Sequence, residues 1–98
     1  MDDLRFVWDQ RKAKENARKH GVTFEEARTV FLDDYAVLIV DPDHSDVEDR
    51  FLLLGVSSRL RILVVCHCHR EAESVIRLIS ARKADRSERL QYGKRGAR

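Results

Sequence analysis

The sequence lacks an apolar run near the roughly 18 residues that a membrane-crossing helix needs, so no helical span is expected. Its opening residues, MDDLRFVWDQ, hold neither a basic n-region nor an apolar h-region, so they do not read as a secretory signal. Cysteine is scarce. Cys66 and Cys68 lie two apart in one strand-like run, a spacing unsuited to a mutual disulfide, and a reducing cytoplasm is the expected location. There is no Gly-rich phosphate loop, no G-x-S-x-G and no H-E-x-x-H, which removes the commonest nucleotide, serine-hydrolase and zinc-protease signatures. Internal repeats, linkers and low-complexity stretches are also missing.

What is present is a chain of 98 residues, 43% hydrophobic and 37% charged, enough for one small domain with a modest core. The net charge of +2 is unevenly placed. Residues 77–98 carry eight Lys or Arg against Asp85 and Glu88, a local net of +6 that leaves −4 on the first 76 residues. The stretch DPDHSDVED (41–49) holds five acids and no Lys or Arg. A basic final third suggests an anionic partner, nucleic acid first among them, although such runs are often only solvated faces.

The pattern predicts a strand at RFVW (5–8), then a helix capped by Asp9, running to about Lys19 and stopped by Gly21. Thr23 and Glu26 have capping-box spacing and open a second helix to about Leu32. Four strands follow, YAVLIVD (35–41), RFLLLGVS (50–57), RILVVCHC (61–68) and SVIRLISA (74–81), with short connections that favour an antiparallel meander. Asp85 and Glu88 cap a last helix ending near Tyr92, before Gly93. The expected fold is α+β: a short N-terminal strand, two helices, a four-stranded meander and a C-terminal helix. Residues 1–92 form the domain, and 93–98 a disordered basic tail.

Side chains two apart on a strand share a face. If the charged parities align, Arg50, Arg61, His67 and Arg77 dot one face suited to a polyanion, and the other is dry beneath the helices. A plain solvent-facing side is the commoner use of such a face. On the first helix, Ala13, Asn16, Ala17 and His20 form a weakly apolar stripe, where Asn16 and His20 are expected to bond backbone or acids. CHCH (66–69) looks like a metal motif, but on a strand its cysteines and histidines point opposite ways, and nothing in the spacing requires His44 to join them, so no metal is expected. Cys66 reads as a buried small hydrophobe.

The remaining groups suit attack of an RNA 2′-OH on its adjacent phosphate without a cofactor. His67 serves as base or acid, Arg82 holds phosphoryl oxygens in its planar fork, Lys83 with Arg59 or Arg61 adds charge, and Tyr92 or Trp8 stacks on a base.

Four segments carry a specific likeness: FVWDQRKAKENARKHGVTFEEARTVF (6–31), DPDHSDVEDRFLLLG (41–55), RILVVCH (61–67) and IRLISARKADRSERLQY (76–92). In this order they resemble the BrnT toxins, with KHGVTFEEA and ISARKADRSER the most distinctive parts. The resemblance implies a RelE-like ribonuclease toxin of a bacterial type II toxin–antitoxin pair that arrests translation by RNA cleavage. It implies a BrnA-like antitoxin partner with a ribbon-helix-helix part, and operator DNA contacted only through the complex. It also implies an RNA substrate, free or ribosome-associated. By the same resemblance Arg82 is the catalytic arginine; the chemistry of the residues, not the resemblance, sets His67 and Arg61 beside it. Arg59, Arg77, Ser80, Lys83, Arg86, Arg89 and Tyr92 are the expected substrate-binding set. Glu48 and Arg50 fit a structural ion pair. The alternatives are a non-enzymatic co-repressor acting with a ribbon-helix-helix partner, and an adaptor that binds nucleic acid through GKRGAR (93–98).

Overall fold

A computed structural model describes residues 4–41, 49–70 and 74–96. Strand β1 (Arg5–Val7) leads into helix α1 (Gln10–His20). Asp9 caps α1 as expected, its Oδ1 accepting from the backbone N–H groups of Arg11 at 2.8 Å and Lys12 at 3.2 Å. Gly21 ends it in the left-handed region, φ 70°, and donates its N–H to Ala17 O. Helix α2 (Phe24–Ala27) is capped by Thr23, whose Oγ1 accepts from Glu26 N–H at 3.0 Å. The expected helix to Leu32 tightens here into a 3-10 turn, Arg28–Leu32. The cause is Thr29: its hydroxyl donates back to Glu26 O at 2.6 Å and accepts from Ser58 N–H at 2.9 Å, tying the turn to the sheet.

Strands β2 (Val37–Val40), β3 (Phe51–Val56), β4 (Ile62–Arg70) and β5 (Val75–Lys83) form the expected meander. The sheet has five strands rather than four, in the order β1-β5-β4-β3-β2, because β1 joins its edge parallel to β5. Helix α3 (Arg86–Gly96) follows a complete capping box: Asp85 N–H donates to Glu88 Oε1 and Glu88 N–H to Asp85 Oδ1, both at 2.8 Å. It runs past Tyr92 through Gly93, so four of the six residues read as a tail belong to the helix. A glycine mid-helix costs only about 1 kcal/mol. Tyr92 offsets that cost by packing beside Val37, Leu54 and Val64 and donating its hydroxyl to Asp33 Oδ2 at 2.6 Å.

Helices α1 and α2 cover one sheet face, where Val22, Phe24, Ala27 and Val30 pack on Leu53, Leu63, Val65, Ile76, Leu78 and Ala81. Helix α3 covers part of the other, over Leu54, Val64 and Ala84. Gly55 permits the first packing: a Cβ there would lie 2.9 Å from Val30 Cγ1 and 3.0 Å from Asp33 Oδ2.

The expected alignment of charged parities fails. Leu54 pairs with Val64 and Leu53 with Val65, so Leu63, Val65 and His67 face α1 and α2, while Arg50 lies on the α3 side with Leu52 and Leu54. A bulge restores part of the pattern. Cys66 pairs with Ser80 but His67 with Leu78, leaving Ile79 as the extra residue. It brings Arg77, Ser80 and Arg82 onto one face despite their mixed parity. No helix among the described residues is long and apolar enough to cross a membrane. His44, Glu48 and most of the acidic stretch lie outside the described residues, as do residues 97 and 98.

Candidate nucleic-acid interface

Strand β5 aims Ser80 and Arg82 at the α3 side of the sheet, opposite Cys66 and Val64. Two residues later the chain turns into α3, and the capping box fixes Glu88 one turn inside it. Glu88 therefore stands where Arg82 reaches it. The guanidinium donates Nη1–H to Glu88 Oε1 at 2.8 Å and Nη2–H to Oε2 at 2.9 Å, a two-pronged charge-assisted pair. These bonds hold the Glu88 carboxyl below its ordinary range, more strongly than burial lifts it. They keep Arg82 protonated. The fork is only partly enclosed: side-chain exposure is 42% for Arg82 and 24% for Glu88. With both terminal nitrogens turned to Glu88, the Nε edge of Arg82 has no partner among the described residues. That edge can take an anion in two parallel bonds.

Around the pair, Arg77 lies opposite Cys68 on the same face. Arg86 is exposed on the first turn of α3. Arg89 donates Nη1–H to Ala84 O at 2.8 Å, which steadies the strand–helix corner. Lys83 is exposed but opposite Leu63, on the α1 and α2 side. Arg59 is exposed in the β3–β4 turn.

His67, Arg61 and Tyr92, also expected in the site, are each committed to structural contacts. His67 is 1% exposed, beneath Phe31 and beside Phe51 and His69, with ring centroids 4.9, 6.0 and 5.3 Å away. Burial lowers its pKa to about 4, so its ring is neutral at pH 7, and it sits on the opposite face from Arg82. An open-face acid or base it cannot be. Arg61 is committed to α2: Nε donates to Glu26 Oε2 at 3.0 Å, and Nη2 donates to Gly21 O at 3.1 Å and to the other Glu26 oxygen. Arg61 holds that buried carboxyl ionised against the cost of its burial, helped by the Ser57 hydroxyl at 2.6 Å. Tyr92 anchors α3 to Asp33 instead of offering a free ring; burial first, then the Asp33 bond, pushes its hydroxyl up to about 12. Trp8 likewise packs edge-on against Phe24, centroids 5.8 Å apart.

Glu88 was expected to cap α3 and to pair within its own helix; its partner is instead Arg82. Its Asp85-x-x-Glu88 spacing gave the cap, but the pairing with Arg82 forms across the strand–helix corner, where no period applies. Cys66 is buried beside Ser80, and its thiol is pushed up by burial. No three His, Cys, Asp or Glu side chains among the described residues converge as metal ligands.

The family model for the ribonuclease toxin BrnT of type II toxin–antitoxin systems matches residues 8–88. The chain belongs to the BrnT family. Among solved structures, the crystal structure of the Brucella abortus ribonuclease toxin BrnT is similar, with TM-score 0.66 and 24% identity over 85% of this chain and 99% of that one. The likeness supports the α+β BrnT fold described above. No curated protein matches the sequence.

Proposed function

We propose that the chain is an endoribonuclease toxin that cleaves RNA by internal attack of a 2′-OH, without a metal, and is neutralised by a BrnA-like antitoxin. The observation that carries the reading is the Arg82–Glu88 fork: one partly exposed carboxylate locked beside one guanidinium with an unpartnered edge. In this mechanism the scissile phosphate sits against the Nε edge of Arg82. Glu88, ionised at neutral pH, takes the proton of the 2′-OH. The 2′ oxygen bonds to phosphorus, the bond from phosphorus to the 5′ oxygen breaks, and that oxygen leaves with a proton from solvent, to which Glu88 then returns the one it took. The products are a 2′,3′-cyclic phosphate and a 5′-OH. Arg82 stabilises the charge that builds on the phosphoryl oxygens, an effect of about 10²–10³ in rate for one well-placed donor. Proton removal by a positioned carboxylate adds about 10²–10⁴. Arg77, Ser80, Arg86 and Arg89 line the approach and hold neighbouring phosphates.

The test is induced expression of wild type and Arg82→Ala in bacteria without the antitoxin gene, following growth and new RNA 5′ ends together. Arrest with new ends for wild type alone supports the reading. Normal growth with intact RNA in both, with soluble folded protein, favours a non-enzymatic co-repressor.

A further inference from the structure

Helix α1, QRKAKENARKH, carries Arg11, Lys12, Lys14, Arg18 and Lys19 against Glu15 alone, and the mechanism uses none of them. Glu15 forms its ion pair with Arg18, which leaves the other four cations without an ion pair inside the helix, although Lys19 also lies within the field of Glu15. The helix is docked with some precision. β1 pairs with β5 only over Val75–Arg77, so the edge of β5 beyond Arg77 is open to α1. There the buried Asn16 takes the place of a neighbouring strand: its Nδ2 donates to Ala81 O at 2.9 Å and its Oδ1 accepts from Ala81 N–H at 3.0 Å. Ala81 lies between Ser80 and Arg82.

Lys12 is four residues before Asn16, and Lys19 and His20 are three and four after, so all three flank the docked edge. Together with Glu15, Ile79 and Ser80 they line a shallow groove of about 200 Å³. Lys12 and Lys19 are both exposed and stand roughly 10 Å apart along the helix, two turns. Ser80, at the groove's far wall, is roughly 7 Å from Arg82 along β5. Ser80 thus belongs both to the groove lining and to the sheet face that carries Arg82.

We infer that Lys12 and Lys19 form a second phosphate-binding track, holding the backbone of the same RNA strand whose scissile phosphate lies at Arg82. This rests on cleavage at Arg82, which the proposed function supplies. A single strand suits the groove because it is open and shallow, and two point charges on flexible stems grip a backbone without reading bases.

The experiment measures binding of a fully 2′-O-methylated single-stranded RNA, which has no 2′-OH to attack, from about 50 to about 200 mM salt. Wild type is compared with Lys12→Gln/Lys19→Gln and with Arg11→Gln/Lys14→Gln, which removes the same charge from the helix side turned away from Asn16. Losing two phosphate contacts should flatten the log–log salt slope by about 1.4. The affinity lost across that salt range is then about sevenfold smaller for the Lys12/Lys19 variant than for wild type. The control variant should keep a near wild-type slope, and cleavage of a dinucleotide, too short to reach the groove, should be unchanged. Equal slopes in both variants, or no change in either, would overturn the track. Loss of antitoxin binding with RNA binding intact would assign the groove to the protein partner and also overturn it. If wild type cleaves the dinucleotide but the track variant binds normally, only this inference fails; if wild type neither binds nor cleaves RNA, the proposed function fails first.

Discussion

His67 is enclosed by Phe31, Phe51 and His69, and its Nδ1 lies 3.2 Å from Val65 O while Nε2 has no partner among the described residues. The ring packs as an aromatic, and protonating it inside this cluster is costly. Its folded pKa of about 4 lies below the ordinary 6.5, so the unfolded chain binds more protons between those values and stability falls as pH drops through that window. The loss is about 3 kcal/mol. Chemical denaturation of wild type at pH 6.5 and pH 4 should show it, and His67→Phe should lack most of it while still cleaving RNA. Glu88 gives the opposite kind of test. As a base it must be ionised, and Arg82 holds its carboxyl below the ordinary 4.5, so the acid limb of the cleavage profile should lie below that value. Glu88→Gln should lose about 10²–10⁴ in rate with the fold retained, since the amide still accepts from Asp85 N–H. An unchanged rate would remove Glu88 from the chemistry.

Where one element meets the next, small polar groups determine the geometry. Asn16 bonds three backbone groups, Val22 O, Ala81 O and Ala81 N–H, and so joins α1, the α1–α2 turn and β5. Asn16→Ala leaves them buried and unpaired, and should cost about 3 kcal/mol or more in urea unfolding. The β3–β4 turn holds the reverse case. Leu60 has φ 62° and is 85% exposed, so its side chain gains little packing for an unfavourable backbone. Leu60→Gly should raise stability by about 0.5–1 kcal/mol in the same assay, with cleavage unchanged. The caps at Asp9, Thr23 and Asp85 and the stop at Gly21 were legible in the sequence because each depends on residues within one turn. The Thr29 bond that tightens the 3-10 segment was not legible, since its partner Ser58 is far along the chain.

Across the whole molecule, the α+β class and the meander follow from alternation and short connections, both readable along the chain. Register does not. A pairing of Leu54 with Val64 sends His67 inward, and one extra residue at Ile79 swings Arg77 onto the face of Ser80 and Arg82. The charged face expected from parity thus exists with different members: Arg50 and Arg77 remain, Arg82 joins, and Arg61 and His67 leave. Arg61 leaves because a buried carboxylate, Glu26 at 6% exposure, requires a cation, a need invisible until α2 is packed. The strand that opens as VIRLIS and closes on arginines is explained by its two surroundings, with β1 on its first half and the α1 edge and α3 corner on its second.

Cleavage at Arg82 is tested most directly by the chemistry of the cleaved ends, read together with rate, for a short RNA treated with purified wild type and Arg82→Ala. Wild type should leave 2′,3′-cyclic phosphate and 5′-OH ends, and the variant should react slower by about 10²–10³. Ends bearing 3′-OH and 5′-phosphate, or equal rates for the two proteins, would contradict it.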